Sequence, residues 1–278
     1  METVAPESAP MLYRRHALTV RVAHWVNVFA LTILLMSGLN IFDAYPELHW
    51  GRSSYSGREA WVTIGAERDV NGKARGVTRV FGHAFDTTGW LGIARGPSGE
   101  MEARAFPSWL TIPDSRWLAL ARSWHFLFAW IFLVNGALYV AYSIGSRHLA
   151  RDLVPDSRDL RSIGASIIDH LRFRHPTGEA AKRYNVLQKF AYLAMILVVL
   201  PLMIATGLGM SPWVNAFAPG WVDVFGGRQS ARTIHFICAW LIVAFVVIHV
   251  FEVIISGFWN NVRSMITGRY RVPKAHET

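Results

Sequence analysis

Four long stretches of this chain carry almost no charged side chains. They comprise residues 23–42, 117–146, 190–222 and 233–261. The only Asp, Glu, Lys or Arg within them are Arg122 and Glu252. A helix needs about 20 consecutive apolar residues to cross the hydrocarbon core of a bilayer, and a soluble helix would show a polar face, which these stretches lack. The pattern therefore predicts four transmembrane helices rather than a large soluble helical bundle.

The predicted fold is all-α, a single integral membrane four-helix bundle that covers residues 1–278. We place the spans at approximately residues 21–42, 117–145, 187–211 and 231–258. Residues 43–116 connect spans one and two, and a connection of that length usually has a function or a structure of its own. Glycine-rich turns such as residues 96–99 divide it and suggest a small β-hairpin. Docking of a partner and shielding of a cofactor edge are equally open roles for it.

The Lys and Arg residues are unevenly distributed between the two sides of the membrane. Eight fall in residues 145–185, four follow residue 258, and three precede residue 22. With four spans these regions share one side, which the positive-inside rule makes the cytoplasm. Both termini are then cytoplasmic and residues 43–116 lie outside. The net charge of +9 mostly reflects this topology, and the bases form no stripe of the kind that binds nucleic acid.

Four of the eleven histidines fall inside the predicted spans, where ionisable side chains are rare and usually functional. His125 and His235 lie near the outer ends of spans two and four, and His24 and His249 near the inner ends of spans one and four. His235 and His249 are fourteen residues apart, which is about 21 Å along a helix and keeps both on one face of a left-handed bundle. Two facing imidazoles can hold an iron porphyrin. The expected pairs are His125 with His235 and His24 with His249.

An arginine precedes three of these histidines by three residues. Arg21, Arg122 and Arg232 each stand one helical turn nearer the water than the histidine that follows. There a guanidinium can pair with a haem propionate or simply reach a lipid headgroup, and the threefold repetition favours propionates for the set. Gly38, fourteen residues beyond His24, either lets the backbone approach a macrocycle or serves close helix packing.

Several stretches of the chain resemble one known family. They are RVAHWVN (21–27), LLMSGLNIF (34–42), RSWHFLFAW (122–130), GGRQSARTIHF (226–236) and SGFWNNVRSMITGRY (256–270). With the four spans and the His-x13-His spacing in span four, they make the chain similar to the bacterial cytochrome b561 and nickel-hydrogenase cytochrome b superfamily. That superfamily includes the cytochrome b subunits of formate dehydrogenase and thiosulfate reductase complexes.

The resemblance implies two non-covalent b-type haems with bis-histidine ligation in a bacterial inner-membrane protein. It also implies electron transfer between the quinone pool and a partner oxidoreductase on the periplasmic face, and the subgroup is similar to those that accompany a molybdopterin-dependent protein. Glu252 lies three residues beyond His249, where it exchanges protons with quinone, forms a hydrogen bond with an inner ligand histidine, or is solvated at the interface. The chain has no CxxCH motif, which excludes covalent haem attachment.

Two other functions are open, a histidine-lined transporter of a transition metal and a passive membrane anchor for a catalytic subunit. A transporter is expected to add acidic, Met or Cys ligands along its path, and span four offers only Glu252 and Cys238 as acidic or thiol groups. A passive anchor would not require histidines at matched depths on three helices. The electron carrier therefore ranks first, and whether the chain itself oxidises or reduces quinone is left open.

Overall fold

The computed structural model describes residues 12–54, 57, 59–172 and 184–271. Within them, four helices are long and apolar enough to cross a membrane, and we call them spans one to four. They are Leu18–Asp43, Leu118–Gly145, Val186–Met210 and Arg228–Ile255. The prediction of a mostly helical membrane protein with four spans is confirmed.

The spans turn most of their apolar side chains outward. Only 11% to 28% of the most apolar window of each span is buried among the described residues. Large side chains such as Phe29, Leu138 and Val247 are 62%, 64% and 63% exposed. A soluble monomer rarely exposes so continuous an apolar surface, whereas the hydrocarbon core of a bilayer provides apolar surroundings for it.

Span three is not a regular α-helix throughout. It is α-helical over Val186–Ala194 and Leu200–Met210, with a π-helical turn at Met195–Val199 between them. Pro201 follows that turn, and a proline lacks the N–H that an α-helix would donate at its position. Widened turns of this kind are a known way for a helix to accommodate such a residue.

In the described part of the chain, eight short strands accompany the helices. In chain order they are β1 (Leu12–Arg14), β2 (Glu47–Leu48), β3 (Val62–Arg68), β4 (Ala74–Val80), β5 (His83–Asp86), β6 (Gly92–Arg95), β7 (Met101–Arg104) and β8 (Arg269–Arg271). Strands β2 to β5 form an antiparallel sheet in sequential order, and β6 pairs with β7. The hairpin suggested by the turn at residues 96–99 is β6–β7. The four-stranded sheet was not foreseen. We refer to residues 44–117 as the β insertion.

The described chain divides into two units, each of which contains one end of every span. The first unit comprises the described residues of Met1–Trp25, Gly136–Val198 and Ile242–Thr278. The second comprises those of Val26–Asn135 and Val199–Leu241, and it therefore includes the β insertion.

The second unit has a core that joins the β insertion to the end of span one. Its buried members are Leu39, Phe42, Leu48, Val62, Ile64, Ala105 and Phe106. A carboxylate strengthens the junction, because Asp43 accepts a hydrogen bond from the backbone N–H of Ala105 and lies 3.2 Å from the Nε of Arg116. The insertion is thus packed against span one and is not a free loop.

In the first unit, the segments before span one and after span four pair with each other. Leu12, Tyr13 and Arg14 in β1 lie opposite Arg271, Tyr270 and Arg269 in β8. The pairing requires both segments to lie on one side of the membrane, as an even number of spans demands. The helix Phe258–Thr267 leads from span four to β8. The helices Ser157–Arg161 and Ile163–Leu171 follow span two. Residues 173–183, part of the basic connection, lie outside the described residues.

Candidate functional site

Two of the four intramembrane histidines meet in the second unit. His125 on span two and His235 on span four have ring centres 6.3 Å apart, and their ring planes are inclined by 60°. The first lies seven residues into its span and the second seven residues into its own. Spans two and four both begin next to the β insertion. The pair predicted from matched depths is therefore brought together.

The other two histidines meet in the first unit. His24 on span one and His249 on span four have ring centres 6.4 Å apart, again with planes inclined by 60°. Phe245, one turn before His249, stacks on that ring with an interplanar angle of 7°, so it restricts the orientation of the imidazole. The second predicted pair is also brought together.

The spacing of both pairs is what a shared iron requires. A bond between a metal and an imidazole nitrogen is about 2 Å long, and bond lengths of about 1.3 Å place each ring nitrogen about 1.1 Å from the ring centre. Two imidazoles on opposite sides of one metal therefore have centres about 6 Å apart. The observed separations of 6.3 Å and 6.4 Å match this value. These side chains fit a bis-histidine haem at each pair.

Hydrogen bonds fix which nitrogen of His235 is available as a ligand. Its Nδ1 lies 3.0 Å from the carbonyl oxygen of Met203 and 3.2 Å from Oγ1 of Thr206. A carbonyl can only accept, so Nδ1 carries the proton and Nε2 keeps its lone pair. A metal-bound histidine needs this arrangement, with one nitrogen donating to the protein and the other free for the metal.

His125 is arranged in the same way by a hydroxyl group. Its Nδ1 lies 3.1 Å from Oγ of Ser37. That hydroxyl already donates its only proton to the carbonyl of Ile33, at 2.6 Å, so it accepts from the imidazole and Nε2 of His125 is again unprotonated. By contrast, Nδ1 of His24 is buried without a hydrogen-bond partner among the described residues.

Comparison with known proteins agrees with this geometry. A family model described as prokaryotic cytochrome b561 matches residues 15–268. The chain belongs to the prokaryotic cytochrome b561 family. Membership implies binding of b-type haem and a role in electron transport, which the two histidine pairs fit.

Two relatives of this cytochrome b561 carry names that link them to oxidoreductases. A putative protein-methionine-sulfoxide reductase subunit, YedZ1, of Azospira oryzae is 28% identical over 86% of this chain and 89% of its own length. A probable Ni/Fe-hydrogenase B-type cytochrome subunit of Cupriavidus necator is 29% identical over 54% of this chain and 66% of its own length. No solved structure matches the chain significantly.

The three arginines that precede the histidines have different surroundings. Arg232 donates through both amino groups to backbone carbonyls, to that of Glu47 at 2.6 Å and to that of Tyr45. Arg21 donates to the carbonyl of Ile266 at 2.6 Å, and its Nε is buried without a partner among the described residues. Arg122 is exposed. The propionate role predicted for the set stays a prediction.

Two glycines of the spans lie beside the histidine rings. A Cβ on Gly38 would lie 3.4 Å from Cε1 of His125, and one on Gly207 would lie 3.2 Å from Cε1 of His235. The backbone of spans one and three therefore passes directly beside the two imidazoles. A Cβ on Gly136 would meet nothing within 4 Å, so close approach does not explain that glycine.

The β insertion is hydrogen-bonded to span four within two turns of His235. Thr233 donates through Oγ1 to the carbonyl of His49 at 2.7 Å. The carbonyl of Gly51 accepts from the backbone N–H of Ser230 at 3.1 Å, and Oγ of Ser230 accepts from the N–H of Gly51 at 2.8 Å. The first N–H groups of a helix have no partner within the helix, and here the insertion satisfies two of them, those of Gln229 and Ser230.

The remaining candidate groups lie away from the pairs or in other networks. His49 is buried, with Nε2 3.2 Å from both Glu47 and Tyr45, and His83 is exposed. Both lie in the β insertion. In the described part of the chain, no three His, Cys, Asp or Glu side chains cluster as a metal-ion site. His175 lies outside the described residues.

Sequence reasoning missed Ser37 and Thr206, which form hydrogen bonds with the imidazoles of His125 and His235. A signal was present, because both belong to the same short motif, Ser-Gly-Leu at residues 37–39 and Thr-Gly-Leu at residues 206–208. The sequence alone does not indicate a role for the motif. The structure does, because each copy contacts a histidine.

Proposed function

We propose that this cytochrome b561 is a di-haem carrier of electrons across the membrane, between the quinone pool and a partner oxidoreductase. One observation carries the proposal: three spans contribute two pairs of imidazoles with centres 6.3 Å and 6.4 Å apart. Bound haem supplies one-electron redox chemistry, and the protein sets its potential through ligands, hydrogen bonds and burial.

In this proposal each pair of histidines holds one haem b without a covalent bond. His125 and His235 hold the haem on the outer side, and His24 and His249 hold the one on the inner side. The Nδ1 bonds of His125 and His235 support the assignment, because they leave Nε2 of each ring free for iron.

The partner is inferred from the relatives and from the charge pattern. Both named relatives are described as subunits that accompany an oxidoreductase, a methionine-sulfoxide reductase in one and a hydrogenase in the other. We infer a partner oxidoreductase on the periplasmic face, of the molybdopterin-dependent kind. The positive-inside rule supports the orientation, with both termini in the cytoplasm of a bacterial cell and the β insertion outside.

We assign the β insertion two roles. Its bonds to Thr233 and Arg232, two and three residues before His235, support a cover over the outer haem edge. Two of its side chains, Trp90 and Trp109, are 72% and 64% exposed. Exposed aromatic side chains are typical of binding surfaces, which supports docking of the partner on the same element.

Quinone is assigned to the inner haem, where Glu252 lies one turn beyond His249 on span four. In that position a carboxyl group can exchange protons with quinone as electrons pass. Glu252→Gln is expected to slow reduction of the haems by a quinol several-fold, with their reduction by dithionite unchanged. Equal rates in the two proteins would assign Glu252 to the solvated interface.

The direct test is a reduced-minus-oxidised absorption spectrum of the purified chain together with its haem content. Two b-type haems per chain, reduced by a quinol in reconstituted membranes, are expected. A passive anchor would contain no haem. A metal transporter would contain none either and would move a transition-metal ion into vesicles.

A further inference from the structure

Spans one and three carry the same device on the two sides of the outer histidine pair. In span one it is Ser37 followed by Gly38, and in span three Thr206 followed by Gly207. The first contacts His125 on span two. The second contacts the histidine of span four. The chain therefore uses a hydroxyl residue and a glycine twice, once for each ligand of one haem.

The two hydroxyl groups have the same hydrogen-bond geometry. Ser37 donates to the carbonyl of Ile33 at 2.6 Å, and Thr206 donates to that of Leu202 at 2.7 Å, in each case four residues earlier. Both residues have no exposed surface. Since each hydroxyl has one proton and that proton is used, its lone pairs are what it offers the imidazole.

The glycine that follows lets the helix backbone come against the same ring. The Cβ positions at Gly38 and Gly207 would lie 3.4 Å and 3.2 Å from Cε1 of the respective imidazole. Such contacts leave little room for the ring to tilt. The hydroxyl thus fixes the rotation and tautomer of the histidine, and the glycine limits its tilt.

We propose that Ser37-Gly38 and Thr206-Gly207 are paired clamps that hold both outer ligands as Nδ1–H tautomers and lower the potential of the outer haem. The proposal rests on the proposed function, because it requires haem at His125 and His235. An acceptor at Nδ1–H makes an imidazole a more basic ligand, and a more basic ligand stabilises ferric iron over ferrous iron. All four clamp residues are positioning residues, since they act through the histidines.

The two clamps share a second acceptor. His235 also donates to the carbonyl of Met203 at 3.0 Å, and His125 donates to the backbone carbonyl of Leu34. Met203 and Leu34 each stand three residues before the hydroxyl residue of their clamp. Each imidazole therefore keeps one acceptor when its hydroxyl is removed, and the two losses are expected to be of similar size.

The test uses the full-length variants Ser37→Ala and Thr206→Val. Redox titration gives the midpoint potential of each haem, and electron paramagnetic resonance gives the spectrum of the ferric protein. Both variants should keep two haems per chain. The potential of the outer haem should rise by a similar amount in both variants, and its ferric signal should shift while that of the inner haem stays unchanged. Ser37→Thr, which keeps the hydroxyl, should restore the potential of the wild-type protein.

A matched control is Thr32→Ala, because Thr32 on span one donates to the carbonyl of Val28 in the same way, at 2.8 Å, but is exposed and touches neither histidine. It should leave both potentials unchanged. An unchanged outer potential in Ser37→Ala with both haems present would overturn the proposal, as would an equal shift in Thr32→Ala. Failure of the proposed function would look different, since the wild-type chain would then lack the outer haem altogether.

Discussion

His24 and His249 face each other with ring centres 6.4 Å apart, almost the separation of the other pair, yet their hydrogen bonding differs. Nδ1 of His24 is buried without a partner in the described part of the chain, whereas both rings of the outer pair donate at Nδ1. The two pairs are almost equal in spacing, but the His24 ring lacks the Nδ1 hydrogen bond that both rings of the other pair have.

The first prediction follows from this inequality. A redox titration of the wild-type protein should resolve two potentials, with the lower one belonging to the outer haem, because its ligands are the more basic. His125→Ala should remove the lower step and His249→Ala the higher one. Two steps assigned in the reverse order would contradict the explanation from hydrogen bonding.

Arg232 and Arg122 give a matched pair for the second prediction. Arg232→Gln removes bonds to the carbonyls of Glu47 and Tyr45, and a hydrogen bond from a charged donor contributes about 1.5–3 kcal/mol. We expect faster proteolysis of the β insertion in this variant. Arg122→Gln should leave the proteolysis rate unchanged, because that side chain is exposed.

The Arg122→Gln variant also tests the predicted pairing of arginine with haem propionates. A guanidinium beside a propionate places positive charge near the haem and favours the reduced haem, which carries one positive charge fewer than the oxidised haem. Its removal should therefore lower the potential of that haem. Arg122→Gln is expected to lower the outer potential. If Arg122→Gln changes neither potential, Arg122 serves the lipid headgroups instead.

Much of the fold was predictable from the sequence, for physical reasons. Twenty or more apolar residues without charge have few stable alternatives to a membrane span, so spans one to four could be placed from composition. The partners of His24 and His125 followed from depth, because helical rise fixes how far along a span each side chain lies.

The strands of the β insertion and the contacts of the clamps could not be predicted from the sequence. Strand β2 is only two residues long, and polar and apolar residues do not alternate strictly along β4, ARGVTRV, so alternation did not identify the sheet. The bond between Ser37 and His125 joins residues 88 positions apart, and helix rotation, which decides it, is set by packing. The repeated motif at residues 37–39 and 206–208 was visible, but its role was not.

A third prediction compares glycines in the spans. Gly207→Ala places a methyl group 3.2 Å from Cε1 of His235, and bonds to Met203 and Thr206 prevent the ring from moving away. The variant should shift the ferric signal of the outer haem or lose that haem. Gly136→Ala should be harmless, since its added methyl group meets nothing within 4 Å. Equal behaviour of the two variants would refute the close contact.

A fourth prediction concerns pH and the β insertion. The Arg79 side chain donates to Glu67 and holds the pKa of that carboxyl below its ordinary value, and hydrogen bonds from Thr88 lower the pKa of Asp86. A carboxyl whose folded pKa is lowered stabilises the fold above its unfolded pKa, and this stabilisation is lost as pH falls through the folded value. The insertion should therefore loosen below about pH 4 and not between pH 8 and 5.

Hydrogen exchange over residues 62–86, corrected for the intrinsic rate at each pH, measures this loosening. Glu67→Gln and Asp86→Asn should weaken its dependence on pH, because neither replacement can titrate. Loosening that begins near pH 6 in the wild-type protein would point to a histidine rather than to these carboxyl groups.

The central claim is tested most directly by the haem content of single and double histidine variants. His125→Ala and His235→Ala, alone or combined, should each leave one haem per chain, and the same one, as judged by its potential. His125→Ala combined with His249→Ala should leave none. If the single variants at His125 and His235 lose different haems, or if the double variant at both retains two, the pairing of ligands is wrong.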